Sequence, residues 1–211
     1  YRKELQMDSI IFDVDGTLWD SVDSVVESWN LALAENTDLE PNLTRDTLSK
    51  LFGMTMTDIA DHAFPDLPPK KRMELLEICY DYENRHLEVC PGIMYEGVVD
   101  TIKELAKRYP LYIVSNCQCG YIEAMMKSSG IEPYIKDHLC FGETLVSKDL
   151  TILQLIERNG LKSPVYVGDT QGDADACSKA GVPFIFAEYG LGDVPDAAQR
   201  IQKFSDLLDL K

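Results

Sequence analysis

A chain of 211 residues can bury one full core, or one core with a smaller accessory domain beside it. Its 45% hydrophobic and 27% charged residues are ordinary for a globular protein, and no segment reaches the uninterrupted apolar length of a bilayer span. Thirty-six acidic residues against twenty basic ones leave a net charge of −16, a field that repels polyanions and argues against a nucleic-acid partner.

In chain order, Ser9-Ile10-Ile11-Phe12 is a short apolar, β-branched run ending in acidic and glycine residues, the pattern of a buried strand that delivers a loop at its carboxyl end. From Ser21 the spacing of Val22, Val25, Val26, Trp29 and Leu33 predicts a helix to about Asn36. Residues 38–90 hold no strand pattern but repeated helix starts, at Thr44, at Thr55 or Thr57, and at Pro68-Pro69, and read as an all-helical insertion. Cys90-Pro91-Gly92 then returns the chain to the first domain. Beyond it helices and strands alternate: a helix through Val98 to Ala106, a strand at Leu111–Val114, a helix at Ile122–Ser128, a strand at Leu139–Phe141, a helix at Leu150–Arg158, a strand at Val165–Val167, a helix at Ala174–Ala180 and a last strand at Pro183–Ala187. Such alternation predicts an α/β fold: a Rossmann-like parallel sheet with helices on both faces, residues 1–17 and 92–211, plus a small helical cap, residues 18–91.

Sheets of this kind bind ligands beyond the carboxyl ends of their strands, and there the chemistry-bearing residues recur: Asp13 and Asp15, then Ser115 and Asn116, then Lys148, then Asp169 and Asp173. Asp13 and Asp15 lie two apart, so on a continuing strand they point the same way and repel. A hard divalent cation relieves that repulsion, or one carboxyl is held protonated as an acid. Asp169 and Asp173 add oxygen ligands, and oxygen-only ligation suits magnesium better than zinc. Lys148 and Ser115 offer a positive charge and a hydroxyl to a transferring phosphoryl group. In this arrangement one aspartate can attack phosphorus while the other moves protons.

Four motifs, Asp13-Val14-Asp15-Gly16-Thr17-Leu18, Val114-Ser115-Asn116, Lys148 and Gly168-Asp169-Thr170-Gln171-Gly172-Asp173, resemble in order and spacing those of the haloacid dehalogenase-like hydrolase superfamily, in its phosphatase branch with a helical cap, which includes phosphoglycolate phosphatases and β-phosphoglucomutases. The resemblance implies Asp13 as nucleophile, Asp15 as general acid and base, and Thr17 as a hydrogen-bonding support near bound substrate. It also implies Ser115 and Lys148 as clamps on the phosphoryl oxygens with Asn116 beside them, and Mg2+ held by Asp13, the Asp15 backbone carbonyl, Asp169 and Asp173. Similar phosphatases usually carry glycine before the lysine and proline after it; here Ser147 and Asp149 flank Lys148, and Lys136 is the nearby competitor.

The function this predicts is a magnesium-dependent phosphatase that hydrolyses a small phosphorylated metabolite through an aspartyl phosphate. A sugar phosphomutase is the alternative, disfavoured because Gly53-Met54-Thr55-Met56-Thr57 lacks the cap cation that anchors a second phosphate, although Arg45 and Arg72 leave it open. A dehalogenase is disfavoured by the second acid, Asp15, and a non-catalytic metal-binding module by the intact catalytic set. Substrate selectivity is expected from the cap, with Met54, Met56, Arg45 and His62 as candidates. Tyr1 to Gln6 carry no secretory pattern and the six cysteines form no C-x-x-C pair, so reduced thiols and a cytoplasmic location are expected. Oligomeric state is not readable from the residues.

Overall fold

The computed structural model of the chain describes residues 7–209, so the expectation for Tyr1 to Gln6 lies outside the described residues. The elements in chain order are β1 (Ser9–Phe12), β2 (Trp19–Asp20), α1 (Val22–Asn36), α2 (Arg45–Leu48), α3 (Met56–Ala63), α4 (Pro69–Leu87), β3 (Ile93–Met94), α5 (Val98–Leu105), β4 (Leu111–Ser115) and α6 (Tyr121–Ser129). They continue with β5 (Ile135–Cys140), α7 (Phe141–Thr144), α8 (Lys148–Asn159), β6 (Pro164–Gly168), α9 (Gln171–Ala180), β7 (Phe184–Ala187) and β8 (Arg200–Ile201).

Six strands form one sheet in the order β5-β4-β1-β6-β7-β8, every pairing parallel. All four residues of β1 are buried, and all five of β4 and of β6, because strands covered on both faces read as continuous apolar runs. Alternate side chains feed opposite cores. Ile10, Phe12, Ile113 and Val167 pack with α5, α6 and Phe204 on one face. Ile11, Tyr112, Val114 and Tyr166 pack with Ile152 and Leu155 of α8 and Cys177 of α9 on the other. A third apolar cluster, built from Val25, Trp29, Leu48, Phe64, Leu76 and Tyr80, belongs to α1–α4 and the loops between them.

Local chemistry explains the helix starts. Thr44 and Thr55 accept from the backbone N–H groups of Thr47 and Asp58, and Pro69 opens α4 where its missing N–H costs nothing. Where the helical segment leaves and rejoins the sheet, β2 and β3 pair as a two-residue antiparallel ribbon, Trp19 against Met94 and Asp20 against Ile93. Three expectations need correction. Phe141 is not in the strand before it but opens α7, since the chain turns there so that the Gly142 N–H can donate to Cys117 O. Phe184–Ala187 is not the last strand: β8 adds to its edge, Phe186 against Arg200. The two-residue strands β2 and β3 were not expected at all.

Candidate active site

In this strand order, β1 lies between β4 and β6, so the residues following all three strands meet at one edge of the sheet. Asp13 follows β1 and is 3% exposed. Its N–H donates to Val167 O at 2.9 Å, which continues the pairing with β6 by one residue. Asp169 follows β6, and Asp173 sits in the first turn of α9; both are fully buried. Carboxylate oxygens of Asp13, Asp169 and Asp173 all lie within 4.8 Å of one another.

Lys148, the first residue of α8, reaches this cluster, with Nζ 2.5 Å from Asp173 Oδ1 and 3.1 Å from Asp13 Oδ1. Lys136 lies exposed on β5. Burial alone would lower the Lys148 pKa, but the charges of Asp13 and Asp173 outweigh it and raise it, which keeps the ammonium charged. The other oxygen of Asp173 accepts from the N–H of Thr170 at 3.0 Å and from its hydroxyl at 2.7 Å, closing a capping box at the start of α9. Asp173 therefore caps a helix and orients the lysine at once.

Asp169 is held from both sides. Its Oδ1 accepts from the Thr17 hydroxyl at 3.2 Å, and its Oδ2 from the N–H groups of Leu191 at 2.8 Å and Gly192 at 3.2 Å. Burial and the charge of Asp173 nonetheless push the carboxyl up to about 7, against those two amides. The packing requires glycine at two points. A Cβ on Gly16, whose φ is +76°, would sit 2.0 Å from Asp169 Oδ2, and one on Gly190 would sit 2.4 Å from both Asp169 Cβ and Gly16 O.

This cluster fits a hard divalent cation. Three carboxylates and one ammonium leave two formal negative charges, and burial together with the charge of Asp173 holds the Asp13 carboxyl well above its ordinary pKa. Asp13 Oδ1 is buried with Lys148 Nζ beside it at 3.1 Å but without an aligned hydrogen-bond donor, which leaves lone pairs free for a cation. The donors are all oxygen, as magnesium prefers.

Asp15 stands apart from the cluster, partly buried and on the wall of a cleft. Its Oδ1 is approached by Tyr121 Oη at 2.5 Å, Ser21 Oγ at 2.8 Å and Trp19 Nε1 at 3.0 Å. Ser21 and Tyr121 also touch each other at 2.7 Å, so two hydroxyl protons serve three contacts. Burial lifts the Asp15 carboxyl to about 6, against the opposing hydrogen bonds from Tyr121, Ser21 and Trp19. With the donors gathered on Oδ1, Oδ2 is the oxygen left for a mobile proton.

Ser115, the last residue of β4, and Asn116 also line the cleft, and Asn116 Nδ2 donates to Gly53 O of the helical segment at 2.9 Å. Thr17, expected near the substrate, is fully buried and donates to Asp169 Oδ1, and it is not among the residues that line the cleft. Of the expected selectivity residues Met54 lines the cleft; Arg45 pairs instead with Asp20 and Asp23, and His62 contacts Asp58 O. Residues that the motifs did not flag are Trp19, Ser21 and Tyr121 around Asp15, the Gly190–Gly192 loop around Asp169, and Glu83 and Gln118 in the cleft. Only the glycine pair in Tyr189-Gly190-Leu191-Gly192 carried a sequence signal of close backbone approach.

A sequence model of the family described as haloacid dehalogenase-like hydrolase matches residues 10–187. The phosphoglycolate phosphatase of Synechococcus elongatus is 30% identical over 192 residues, covering 89% of this chain and 86% of the relative. That of Escherichia coli O157:H7 is 25% identical over an alignment of 234 residues, covering 94% and 90%. Among solved structures, one described as a predicted phosphoglycolate phosphatase from Haemophilus somnus superposes with a TM-score of 0.84 at 22% identity, covering 97% of each chain. A haloacid dehalogenase-like family hydrolase from Streptococcus pneumoniae does so with 0.83 at 19% identity, covering 96% of this chain and 97% of the other. With its full motif set gathered at one sheet edge, the chain belongs to the haloacid dehalogenase-like hydrolases, in their phosphatase branch.

Proposed function

We propose that the protein hydrolyses a small phosphomonoester by way of a phosphoryl group carried on Asp13, with magnesium as cofactor and α1–α4 acting as a cap over the site. One observation carries this reading: the two aspartates of one motif occupy different environments, Asp13 inside a carboxylate–ammonium cluster and Asp15 outside it among neutral donors. Groups two residues apart are thereby divided into a nucleophile and a proton carrier.

An Asp13 carboxylate oxygen attacks phosphorus, the ester P–O bond breaks, and Asp15 Oδ2 gives its proton to the departing alkoxide. Asp15, now a carboxylate, takes a proton from water as that water attacks phosphorus, and the bond to Asp13 breaks to release inorganic phosphate. Lys148 and Ser115 hold the phosphoryl oxygens through both steps. Magnesium, held by the Asp13 carboxylate, the Asp15 carbonyl, Asp169 and Asp173, would neutralise charge on the phosphoryl group.

The mutase alternative loses support from the two arginines. Arg45 is paired with Asp20 and Asp23, and Arg72 with Asp61 and with the carbonyls of Pro65 and Leu67, so neither is free to anchor a second phosphate. The test is phosphate release from an aryl phosphate with magnesium, followed by peptide mass analysis of a quenched reaction. Release that stops with a chelator, and a phosphoryl adduct on the Asp13 peptide, is the expected result. Undiminished turnover by Asp13→Asn would overturn it.

A further inference from the structure

The cleft in front of Asp15 encloses about 60 Å³, a space suited to a small group beside the phosphoryl group. Its walls include Trp29, Phe52, Tyr80 and Tyr121, and no lysine or arginine lines it among the described residues. Trp29 and Tyr80 meet edge to face at 5.9 Å.

Into this largely apolar space the fold places a third carboxylate, Glu83 of α4, 4% exposed. Trp29 Nε1 donates to its Oε2 at 2.6 Å and Gln118 Nε2 to its Oε1 at 3.0 Å. Both donors are neutral, and none of the ion pairs among the described residues involves Glu83. A buried carboxylate held only by neutral donors lacks the counter-charge that makes burial tolerable. A cation entering the cleft supplies it, and the aromatic faces around it add their own attraction. A second carboxylate on the ligand would instead lie in a cavity already lined by Asp13, Asp15 and Glu83.

We propose that the substrate class is the phosphomonoester of a small amino alcohol, its ammonium received by Glu83 and the aromatic wall, and that Glu83 excludes esters bearing a second anion. This rests on the phosphatase reading of Asp13 and Asp15, and it sets the chain apart from the activity in its relatives' names, since phosphoglycolate carries a carboxylate where the cleft offers one.

The experiment uses two-carbon esters that differ in charge: phosphoethanolamine, ethyl phosphate and phosphoglycolate, with magnesium and the full chain, and an aryl phosphate as a control for the chemistry. The expected kcat/KM falls in that order, with phosphoethanolamine above phosphoglycolate by about tenfold or more. In Glu83→Gln, which keeps an acceptor for Trp29, that ratio should shrink, chiefly through a raised KM for phosphoethanolamine. Aryl phosphate turnover with phosphoglycolate as the best ester, or an unchanged ratio in Glu83→Gln, overturns the proposal and leaves the phosphatase reading standing. If nothing is hydrolysed, the phosphatase reading falls, and calorimetry decides the rest: tighter binding of phosphoethanolamine than of phosphoglycolate supports the role of Glu83, and the reverse order overturns it.

Discussion

Three donors on one oxygen of Asp15 fix its carboxyl plane, so a proton on the other oxygen points in a set direction. Tyr121 supplies the shortest of them, a hydrogen bond to a group that is charged for half of the cycle, the kind worth about 1.5–3 kcal/mol. Tyr121→Phe should therefore lower kcat about 10- to 100-fold with little change in KM, measured on an aryl phosphate. Glu83 gives a second expectation at this scale. Burial raises its carboxyl from 4.5 to about 7, against the hydrogen bonds from Gln118 and Trp29, so without a cation in the cleft the folded state prefers the neutral form. Its contribution to stability is fully present below pH 4.5 and is lost as pH rises through about 7, on the order of 3 kcal/mol. Between pH 5 and 8 Glu83→Gln should lose a smaller part of its melting temperature than the parent. None of these neighbours was legible in the sequence. Tyr121 opens a helix after β4, Ser21 stands at the N-cap position of α1, and Glu83 sits on a helix rich in charged residues, where a buried carboxylate looks like a solvated one.

At the scale of elements, the loop from Ala187 to Gly192 holds Asp169 by backbone contact, and the crowding around Gly190 is with a Cβ and a carbonyl that no rotamer change can move. Gly190→Ala should destabilise the protein by about 2 kcal/mol or more and depress kcat with it, read by denaturant melts and by turnover. Gly130→Ala is the matched control: φ there is +72° with nothing within 4 Å of the added carbon, so about 1 kcal/mol and no change in kcat is expected. Elements of this fold were legible in proportion to their burial and length. The apolar runs of β1, β4 and β6 and the capped starts of α2, α3 and α4 stand out in the residues. Strands β2, β3 and β8 have two residues each, too few to show a period, and exist because a neighbouring strand is there to pair with. Asp13, Asp169 and Lys148 were legible because a parallel sheet turns positions after successive strands into neighbours; Thr17 was placed in the right motif but faces Asp169.

For the whole molecule, binding at the carboxylate cluster should couple to folding. With two uncompensated negative charges buried there, magnesium at about 100 times its Kd should add about 2.7 kcal/mol to stability. That corresponds to a rise of roughly 5–10 °C in melting temperature, an effect Asp169→Asn should abolish. Sodium chloride at matched ionic strength separates specific binding from screening of the net charge of −16.

The β2–β3 ribbon bears on how such a chain assembles. Ile10 of β1 must find Leu111 of β4, a partner about a hundred residues away, before the sheet has a centre. Because Asp20 and Ile93 are paired, the intervening helices leave and return through adjacent points of backbone, and to the sheet they count as a single short detour. The entropy of closing a loop grows only with the logarithm of its length. The helices could thus be lengthened, shortened or exchanged over evolutionary time at little cost to the sheet, provided the two ends of the insertion still meet. New cavities could be tried above the aspartates while the strand ends that carry the chemistry stayed where they are.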